Sequence, residues 1–416
     1  MYMSNLTKIL QNNFDVSYYQ HLIVAGELAD CMNSKVYLVG GAVRDVLLGK
    51  SVNDIDLVVV GDSESFANQL ASRLGGEITA RSQFLTAKIS FSDFSIDVAS
   101  ARRDYYSYPG SLPQVNLVKT IDQDLVRRDI SINAMAISIN RNTWGDLIDP
   151  MNGEEDLHQR KVRILYKRSF RDDPTRMLRV ILYSQRLGFP VDESSKDLIS
   201  KNLKYLKRMA GWRIFITFKH ILREPNPHKI LYEAHATGIL QAIHSSLALK
   251  DSDIEKLKLI TKFDGENSHF VMLSILVESL TESEAKKLIR RLKMTGRWVR
   301  VINDTQSVKK VLKVLAKKEI RNSKIFHLLS HLDVATLEAM CLISNSNTLR
   351  SNLRLFLDNL RFVTPRLKGD DLIQLGFTEG PIIGKVLERL ANLVIDGLVK
   401  TKEDEMNIAR EILKDI

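Results

Sequence analysis

The chain has 416 residues, of which 44% are hydrophobic and 26% are charged, which is typical of a folded protein with two or more domains. Its net charge of +10 is uneven, because residues 1–150 hold 13 basic and 17 acidic side chains and residues 151–416 hold 47 and 33. Such a surplus indicates either a solvated surface or a polyanion-binding body attached to an acidic head.

Nothing in the sequence indicates export or a membrane. The first residues lack the basic start and apolar core of a signal peptide, and no apolar run approaches the roughly 18 residues of a membrane span. We therefore expect a cytoplasmic localisation. Cys31 and Cys341 form no CxxC pair and are expected to be reduced, buried thiols rather than zinc ligands or a disulfide.

Residues 20–150 mix helical patterns with short β-branched runs that predict strands. These runs are KVYLVG, DIDLVVV, TAKISF, FSIDVAS and INAMAISIN. From about Ser169 onward, apolar residues recur at three- and four-residue spacing, which predicts helices. REPNPH and RFVTPRLKGDD interrupt this pattern and are expected to join helical subdomains. The predicted fold class is α+β, with a small mixed sheet at the N-terminus followed by an all-α remainder.

Two aspartates alternate with apolar residues in the run NDIDLVVV. Residues two apart in a strand project to the same face, so Asp54 and Asp56 present carboxylates side by side while Ile55 and Leu57 face the core. Paired carboxylates suit magnesium, although a solvated strand edge has the same pattern. Asp97, in the predicted strand FSIDVAS, is a candidate third ligand if that strand lies beside the first.

Gly40 and Gly41 separate the strand pattern VYLV from the helical pattern AVRDVLLG. A glycine pair at this place either allows backbone N–H groups to approach a phosphate or forms a simple tight turn. Arg44, in the first turn of the predicted helix, would then reach a triphosphate. Taken with the carboxylates, this favours nucleotidyl transfer, in which two metal ions activate a hydroxyl and stabilise leaving pyrophosphate.

The segment LVGGAVRDVLLGKSVNDIDLVV resembles the signature of the DNA polymerase beta nucleotidyltransferase superfamily. Its form is similar to that of class II tRNA nucleotidyltransferases (CCA-adding enzymes) and bacterial poly(A) polymerases. The similarity continues through FLTAKISFSDFSIDVASARRDYYSYPGSLPQV, DLVRRDISINAMAI, GDLIDPMNGEEDLHQRKVRIL and SFRDDPTRMLRVILYSQRLGF. The resemblance implies a polymerase-beta-like head with Mg²⁺ at Asp54 and Asp56, Asp97 being the weaker carboxylate assignment.

The RRD motif of the resembled family falls on Arg127, Arg128 and Asp129, with Asn133 four residues further on. The resemblance assigns these residues to the ribose and phosphates of the incoming nucleotide. An isolated RRD tripeptide would instead be typical of surface charge, and Asn133 of a helix cap.

The segment RDDPTRMLR carries the prediction about the base. Pro174 suits the first turn of a helix with Asp172 or Asp173 as its cap. Asp173 and Arg176 then share one face, where an ordinary ion pair is the alternative to a functional one. A carboxylate beside a guanidinium complements the amine and ring nitrogen of cytosine and adenine but opposes guanine and uracil.

This pair matches the base-selecting EDxxR motif of the resembled family, and Arg179 is assigned to nucleotide binding with it. Asp172 stands where the family usually has glutamate, as in DDPTR variants, some of which add only part of the CCA end. After Arg213, Phe215 to Lys219 replace the acidic residues that often follow in the family. Both departures concern how much of the CCA end is added.

We predict a tRNA nucleotidyltransferase that uses CTP and ATP to build the CCA end. Enzymes that add only A or only CC, and a poly(A) polymerase, are alternatives, and a catalytically inactive RNA-binding protein is an alternative of another class. The resemblance implies a head (1–150), a base-recognising neck (151–225), a body (226–363) and a tail (364–416). Body and tail are expected to bind the acceptor and T stems of tRNA. Monomer and homodimer both remain open.

Overall fold

The structure is a computed structural model that describes residues 5–52 and 54–414. Residue contacts divide the chain into two units. The first contains residues 1–218 and 229–247, and the second contains residues 219–228 and 248–416. The division into head, neck, body and tail stays a prediction.

The first unit contains all of the named strands in the described part of the chain. They are β1 (Lys35–Val39), β2 (Ile55–Val60), β3 (Glu77–Ser82), β4 (Thr86–Ser90), β5 (Ser95–Ser100), β6 (Arg102–Tyr105), β7 (Gln114–Leu117), β8 (Ala136–Ser138) and β9 (Leu147–Ile148). A seven-stranded sheet has the order β3-β4-β5-β2-β1-β8-β9, and β6 and β7 form a separate ribbon. Strands β2 and β5 run parallel, whereas the other neighbours in the sheet are antiparallel. The predicted mixed sheet is confirmed.

All five predicted runs form strands, namely β1, β2, β4, β5 and β8. Strand β3, the β6–β7 ribbon and β9 were not predicted. Their sequences explain this, because β3 is mostly exposed and polar, β6 reads RRDY and β9 has two residues. None of them shows the apolar alternation that marks a strand with one buried face.

Helices pack on the sheet and extend the first unit beyond it. They are α1 (Thr7–Asn13), α2 (Val16–Cys31), α3 (Gly41–Leu47), α4 (Ser63–Leu74), α5 (Ile121–Leu125), α6 (Gly153–His158), α7 (Ser169–Asp172), α8 (Thr175–Leu187), α9 (Glu193–Arg208), α10 (Gly211–Leu222), α11 (Pro227–Ala236) and α12 (Ile239–Ile243). The last residues of α10 belong to the second unit.

Alternation along β2 assigns its side chains to two different cores. Ile55, Leu57 and Val59 pack into the large core that also includes residues of α1 to α4. Val58 belongs to the smaller core on the opposite face, with residues of α5. Because successive side chains in a strand point to opposite faces, Asp56 shares the face of Val58. The face opposite the large core, which we call the open face, therefore carries the predicted carboxylate.

Every named element in the described residues of the second unit is a helix. Its helices are α13 (Asp251–Lys258), α14 (Ser268–Val277), α15 (Glu282–Leu292), α16 (Arg297–Val308), α17 (Leu312–Leu315), α18 (Asn322–Leu329), α19 (Val334–Ile343), α20 (Asn347–Asp358), α21 (Gly369–Gln374), α22 (Pro381–Ile395) and α23 (Lys402–Lys414). Helix α14 is buried from Phe270 to Val277 and packs against α16 and α19. Helices α21 to α23 enclose a core of their own. The predicted helical remainder is confirmed.

Cys31 and Cys341 are free thiols, but Cys31 is exposed and Cys341 is only partly buried. The prediction of buried thiols is therefore wrong for Cys31. The buried face of α2 carries Leu28 and Ala29, and Cys31 lies off that face at the end of the helix. In the described residues no single helix is long and apolar enough to cross a membrane, although the bent pair α18 and α19 passes on length and composition.

Candidate active site

The carboxylates lie where two parallel strands meet. Asp56 of β2 and Asp97 of β5 are direct partners in the register, and exposed Asp54 immediately precedes β2. Burial raises the pKa of Asp56 to about 6, and the negative charges of Asp97 and Asp54 add to this effect, while the Arg128 charge opposes it. Repulsion of this kind is relieved by a bound cation.

This donor set fits a divalent metal ion, because oxygen ligands and concentrated negative charge are what such ions prefer. Asp54 and Asp56 are the residues that would hold it. Among the described residues, no three His, Cys, Asp or Glu side chains converge closely enough to hold a metal ion. The assignment of Asp97 as a third ligand therefore stays a prediction.

The glycine pair forms the junction between β1 and α3. Gly40 has φ 73° and ψ −131°, a conformation that glycine adopts without strain. A Cβ atom on Gly40 would lie 3.2 Å from Nη1 of Arg128 and 3.7 Å from a carboxylate oxygen of Asp56. The missing side chain thus keeps the turn, the carboxylate and an arginine close together.

Arg127 and Arg128 are both held by Asp124, which is fully buried in the first unit. Burial by itself would raise the pKa of Asp124, but the charges of Arg128 and Arg127 outweigh it and lower the pKa. Arg127 also contacts Asp104 at 3.4 Å. Arg128 also lines the cavity described below, and its side chain is 16% exposed, so part of this guanidinium is accessible to a ligand.

Arg44 is placed differently from its predicted role. Arg44 is 4% exposed. Its guanidinium donates to Asp45 at 3.0 and 2.8 Å and, through Nη1, to Oδ1 of Asn133 at 2.8 Å. Asn133 lines the cavity described below, whereas Arg44 does not. Arg44 therefore orients Asn133, and direct contact between Arg44 and a triphosphate stays a prediction.

Asp129 connects the RRD motif to α8. Nε of Arg179 donates to its Oδ2 at 2.8 Å. Burial by itself would raise the pKa of Asp129, but the charges of Arg179 and Arg176 hold it below its usual value. The negative charge of Asp129 in turn raises the pKa of Arg179. Asp129 is thus an anion that fixes an arginine of the neighbouring helix.

Asp173 and Arg176 do not form the ion pair that their spacing suggested. Oδ1 of Asp173 accepts from the backbone N–H of Thr175, the first residue of α8, at 3.0 Å, and its Oδ2 accepts from Nη2 of Arg213 at 2.8 Å. Nη1 of Arg176 donates to Tyr166 and Ser169, each at 2.9 Å. Tertiary partners therefore compete successfully with the local pair.

These side chains surround one cavity of about 510 Å³ in the first unit. Ten of the thirteen predicted site residues line it, namely Gly40, Gly41, Asp56, Arg127, Arg128, Asp129, Asn133, Asp173, Arg176 and Arg179. Arg44, Asp54 and Asp97 are not among the lining residues. The cavity thus brings together the Asp56 carboxylate, a cluster of arginines and the side chains of Asp173 and Arg176.

Residues 36–163 match the sequence model of the “Poly A polymerase head domain”. Residues 188–250 match that of the “Probable RNA and SrmB- binding site of polymerase A”. The chain is also 34% identical to an A-adding tRNA nucleotidyltransferase of Geobacter sulfurreducens over 92% of this chain and 46% of that protein. A second A-adding relative, from Halalkalibacterium halodurans, is 28% identical over 98% of this chain and 95% of its own.

The solved structures agree with this. A CCA-adding enzyme without ligand matches with a TM-score of 0.80 and 28% identity over 100% of both chains. The chain belongs to the class II tRNA nucleotidyltransferase and poly(A) polymerase family. Even so, it spans about half the length of the Geobacter sulfurreducens relative. Other family members that match are named CCA-adding enzymes or, over 47% of this chain, a CC-adding enzyme.

Several residues of the cavity were not predicted from the sequence. They include Arg102, Asp104, Tyr106, Tyr183 and Arg213. Arg102, Asp104 and Tyr106 are two residues apart along β6 and the position that follows it, which places them on one face. The two-residue spacing in RRDYY could therefore have indicated a strand with one face towards the site. It was missed because the strand pattern was sought in apolar side chains and these are mostly charged. Burial raises the pKa of Tyr106, so its ring is a neutral wall of the cavity.

Proposed function

We propose that this chain transfers a nucleoside monophosphate from a triphosphate to the 3′ end of tRNA, without a template. The observation that carries the proposal is the single cavity that joins Asp56, the arginine cluster and Asp173. Its family relatives are named for this activity.

In the proposed reaction, the terminal 3′-hydroxyl of the RNA attacks the α-phosphorus in line and pyrophosphate leaves. Arg128, whose guanidinium lines the cavity, binds the phosphates, and Gly40 allows the backbone to approach them closely. Asn133, oriented by Arg44, contacts the sugar or phosphate. Asp54 and Asp56 would hold a divalent ion, in our proposal Mg²⁺, which supplies a Lewis acid for the attacking and leaving oxygens.

Asp173 is proposed to accept the exocyclic amine of the base, because its carboxylate is fixed on two sides by Thr175 and Arg213. Arg176 is proposed to donate to the neighbouring ring nitrogen. Adenine and cytosine both present an amine beside an acceptor, whereas guanine and uracil do not. The cavity thus favours ATP and CTP over GTP and UTP.

For the number of nucleotides we propose the addition of the terminal A. Three relatives over most of this chain support it, since those from Geobacter sulfurreducens, Aquifex aeolicus and Halalkalibacterium halodurans are all named A-adding. Asp172 in place of glutamate is consistent with a partial activity.

Complete CCA addition is the second candidate. The complementarity of Asp173 and Arg176 applies equally to cytosine and adenine. Matching structures of CCA-adding enzymes, each 28% identical, were solved with ATP, with CTP and, for Thermotoga maritima, with tRNA. We propose tRNA as the partner of residues 151–416 on this basis and on their positive charge.

The deciding experiment uses purified protein, Mg²⁺ and three tRNA transcripts, which end before C74, after C74 and after C75. Each receives CTP, ATP or both, and the products are resolved at single-nucleotide length. Extension of the CC-ending transcript alone, by one A, is the result expected for an A-adding enzyme. Completion of all three transcripts establishes CCA addition, and arrest at CC establishes a CC-adding enzyme.

A long A tail on arbitrary RNA would make the chain a poly(A) polymerase, and no pyrophosphate release with any RNA would leave an inactive RNA-binding protein. As the matched control, Asp54→Ala and Asp56→Ala are expected to abolish turnover while tRNA binding persists. Turnover retained in either variant would contradict the metal assignment.

A further inference from the structure

Lys88 continues the row of charged side chains that crosses the open face of the sheet. It lies on β4, directly opposite Asp97 of β5, and Asp97 is in turn opposite Asp56 of β2. Directly opposed residues in neighbouring strands point to the same face. One cation and two carboxylates therefore stand side by side on three adjacent strands.

The contact itself is direct. Nζ of Lys88 lies 3.3 Å from Oδ2 of Asp97. Lys88 also lines a groove of about 630 Å³ together with Asp54, and its charge acts on Asp56. The lysine is thus within electrostatic reach of all three carboxylates that were assigned to the metal site.

The contact with Lys88 accounts for the absence of Asp97 from a three-ligand group. Strand register brings it beside Asp56, yet the acidic side chains of the described residues do not converge into a three-ligand group. An ammonium group and a divalent ion compete for the same carboxylate oxygens, so a metal ion that recruits Asp97 must first separate it from Lys88.

We propose that Lys88 is a positioning residue that pairs with Asp97 and withholds this carboxylate from a divalent ion bound at Asp54 and Asp56. The pair lowers the affinity of the metal site, because Asp97 can contribute to binding the ion only when the pair is broken. This inference rests on the metal site of the proposed function and adds a residue that tunes it.

The test is calorimetric binding of Mn²⁺ to the full chain without nucleotide or RNA. Lys88→Gln is expected to lower the dissociation constant by about threefold, the scale of a partly exposed ion pair. Lys88→Arg keeps the charge and should stay near the parent protein. Lys35→Gln is the matched control, because Lys35 is exposed and opposes Val60, about 13 Å along β2 from Asp56.

A double-mutant cycle then shows whether Lys88 acts through Asp97. In an Asp97→Asn background, Lys88→Gln should change the Mn²⁺ affinity less than it does in the parent protein. An unchanged or weaker affinity in the single variant, with circular dichroism like that of the parent, would overturn the inference. If the parent protein itself binds no Mn²⁺, the metal site of the proposed function fails as well, so the two failures are distinguishable.

Discussion

At the scale of single residues, the site contains two kinds of carboxylate. Some pair with arginines, and others lie next to one another. Asp124 and Asp129 are both buried and both have arginine partners, so they stay ionised. Burial instead raises the pKa of Asp56 to about 6, and the negative charges of Asp97 and Asp54 add to this effect. Asp124 and Asp129 therefore position arginines, whereas Asp56 lies in a cluster of negative charge that favours a bound cation.

The raised pKa of Asp56 predicts a dependence of stability on pH. Because this carboxyl binds its proton more tightly in the folded state, the free energy of unfolding of the protein falls as pH rises from about 4 to about 6. Asp56→Asn removes this loss. In EDTA, the variant should therefore be more stable than the parent by about 2 kcal/mol at pH 7.5 and no more stable near pH 4.

Urea unfolding at both pH values measures this effect. Asp93→Asn is a suitable control, because Asp93 is an exposed carboxylate of the β4–β5 turn and should show no such difference. A variant at Asp56 that is less stable than the parent at pH 7.5 would contradict the cost assigned to burying this carboxylate beside Asp97 and Asp54.

Arg176 supports a prediction about selectivity. Lysine at this position keeps the charge but loses the planar fork that donates to several partners at once. We expect Arg176→Lys to reduce the preference for ATP over GTP, measured as the ratio of kcat/KM values, by about tenfold. If activity falls equally with both nucleotides, Arg176 supports the fold through Tyr166 and Ser169 and does not read the base.

At the scale of elements, the junction between β1 and α3 holds the cavity together. Alanine at Gly40 has to adopt a positive φ and meets Arg128 at 3.2 Å. Gly40→Ala is expected to cost about 2 kcal/mol of stability and to weaken ATP binding by about tenfold. Gly49→Ala is the matched control, because Gly49 has φ +66° with nothing within 4 Å.

Gly49→Ala should lower the free energy of unfolding by about 1 kcal/mol and leave ATP binding unchanged. Chemical unfolding and titration with ATP separate the two effects. Equal ATP affinities in the two variants would show that Gly40 matters only for the backbone turn.

At the scale of the whole molecule, charge predicts how RNA binding responds to salt. Residues 151–416 hold 47 basic and 33 acidic side chains, and phosphate contacts release counterions when they form. Raising KCl from 50 to 200 mM should weaken tRNA binding by about tenfold or more, measured by filter binding. Asp56→Ala should show the same dependence, and affinity that does not respond to salt would argue against a phosphate-led interface.

The sequence alone determined the features that depend on local pattern. Alternation in DIDLVVV predicted which side chains of β2 face the core, the glycine pair predicted the turn, and three- and four-residue spacing predicted the helical remainder. These predictions succeeded because burial of one face imposes a fixed period on the chain. The ordered motifs likewise indicated the family.

Only the tertiary structure decided which charged groups became partners. Asp173 bonds with Arg213, forty positions away, and Arg176 bonds with Tyr166 and Ser169. Arg44 bonds with Asn133, and Lys88 pairs with Asp97 on the neighbouring strand. A long charged side chain reaches whichever opposite charge the fold brings near it, and sequence spacing does not encode that proximity.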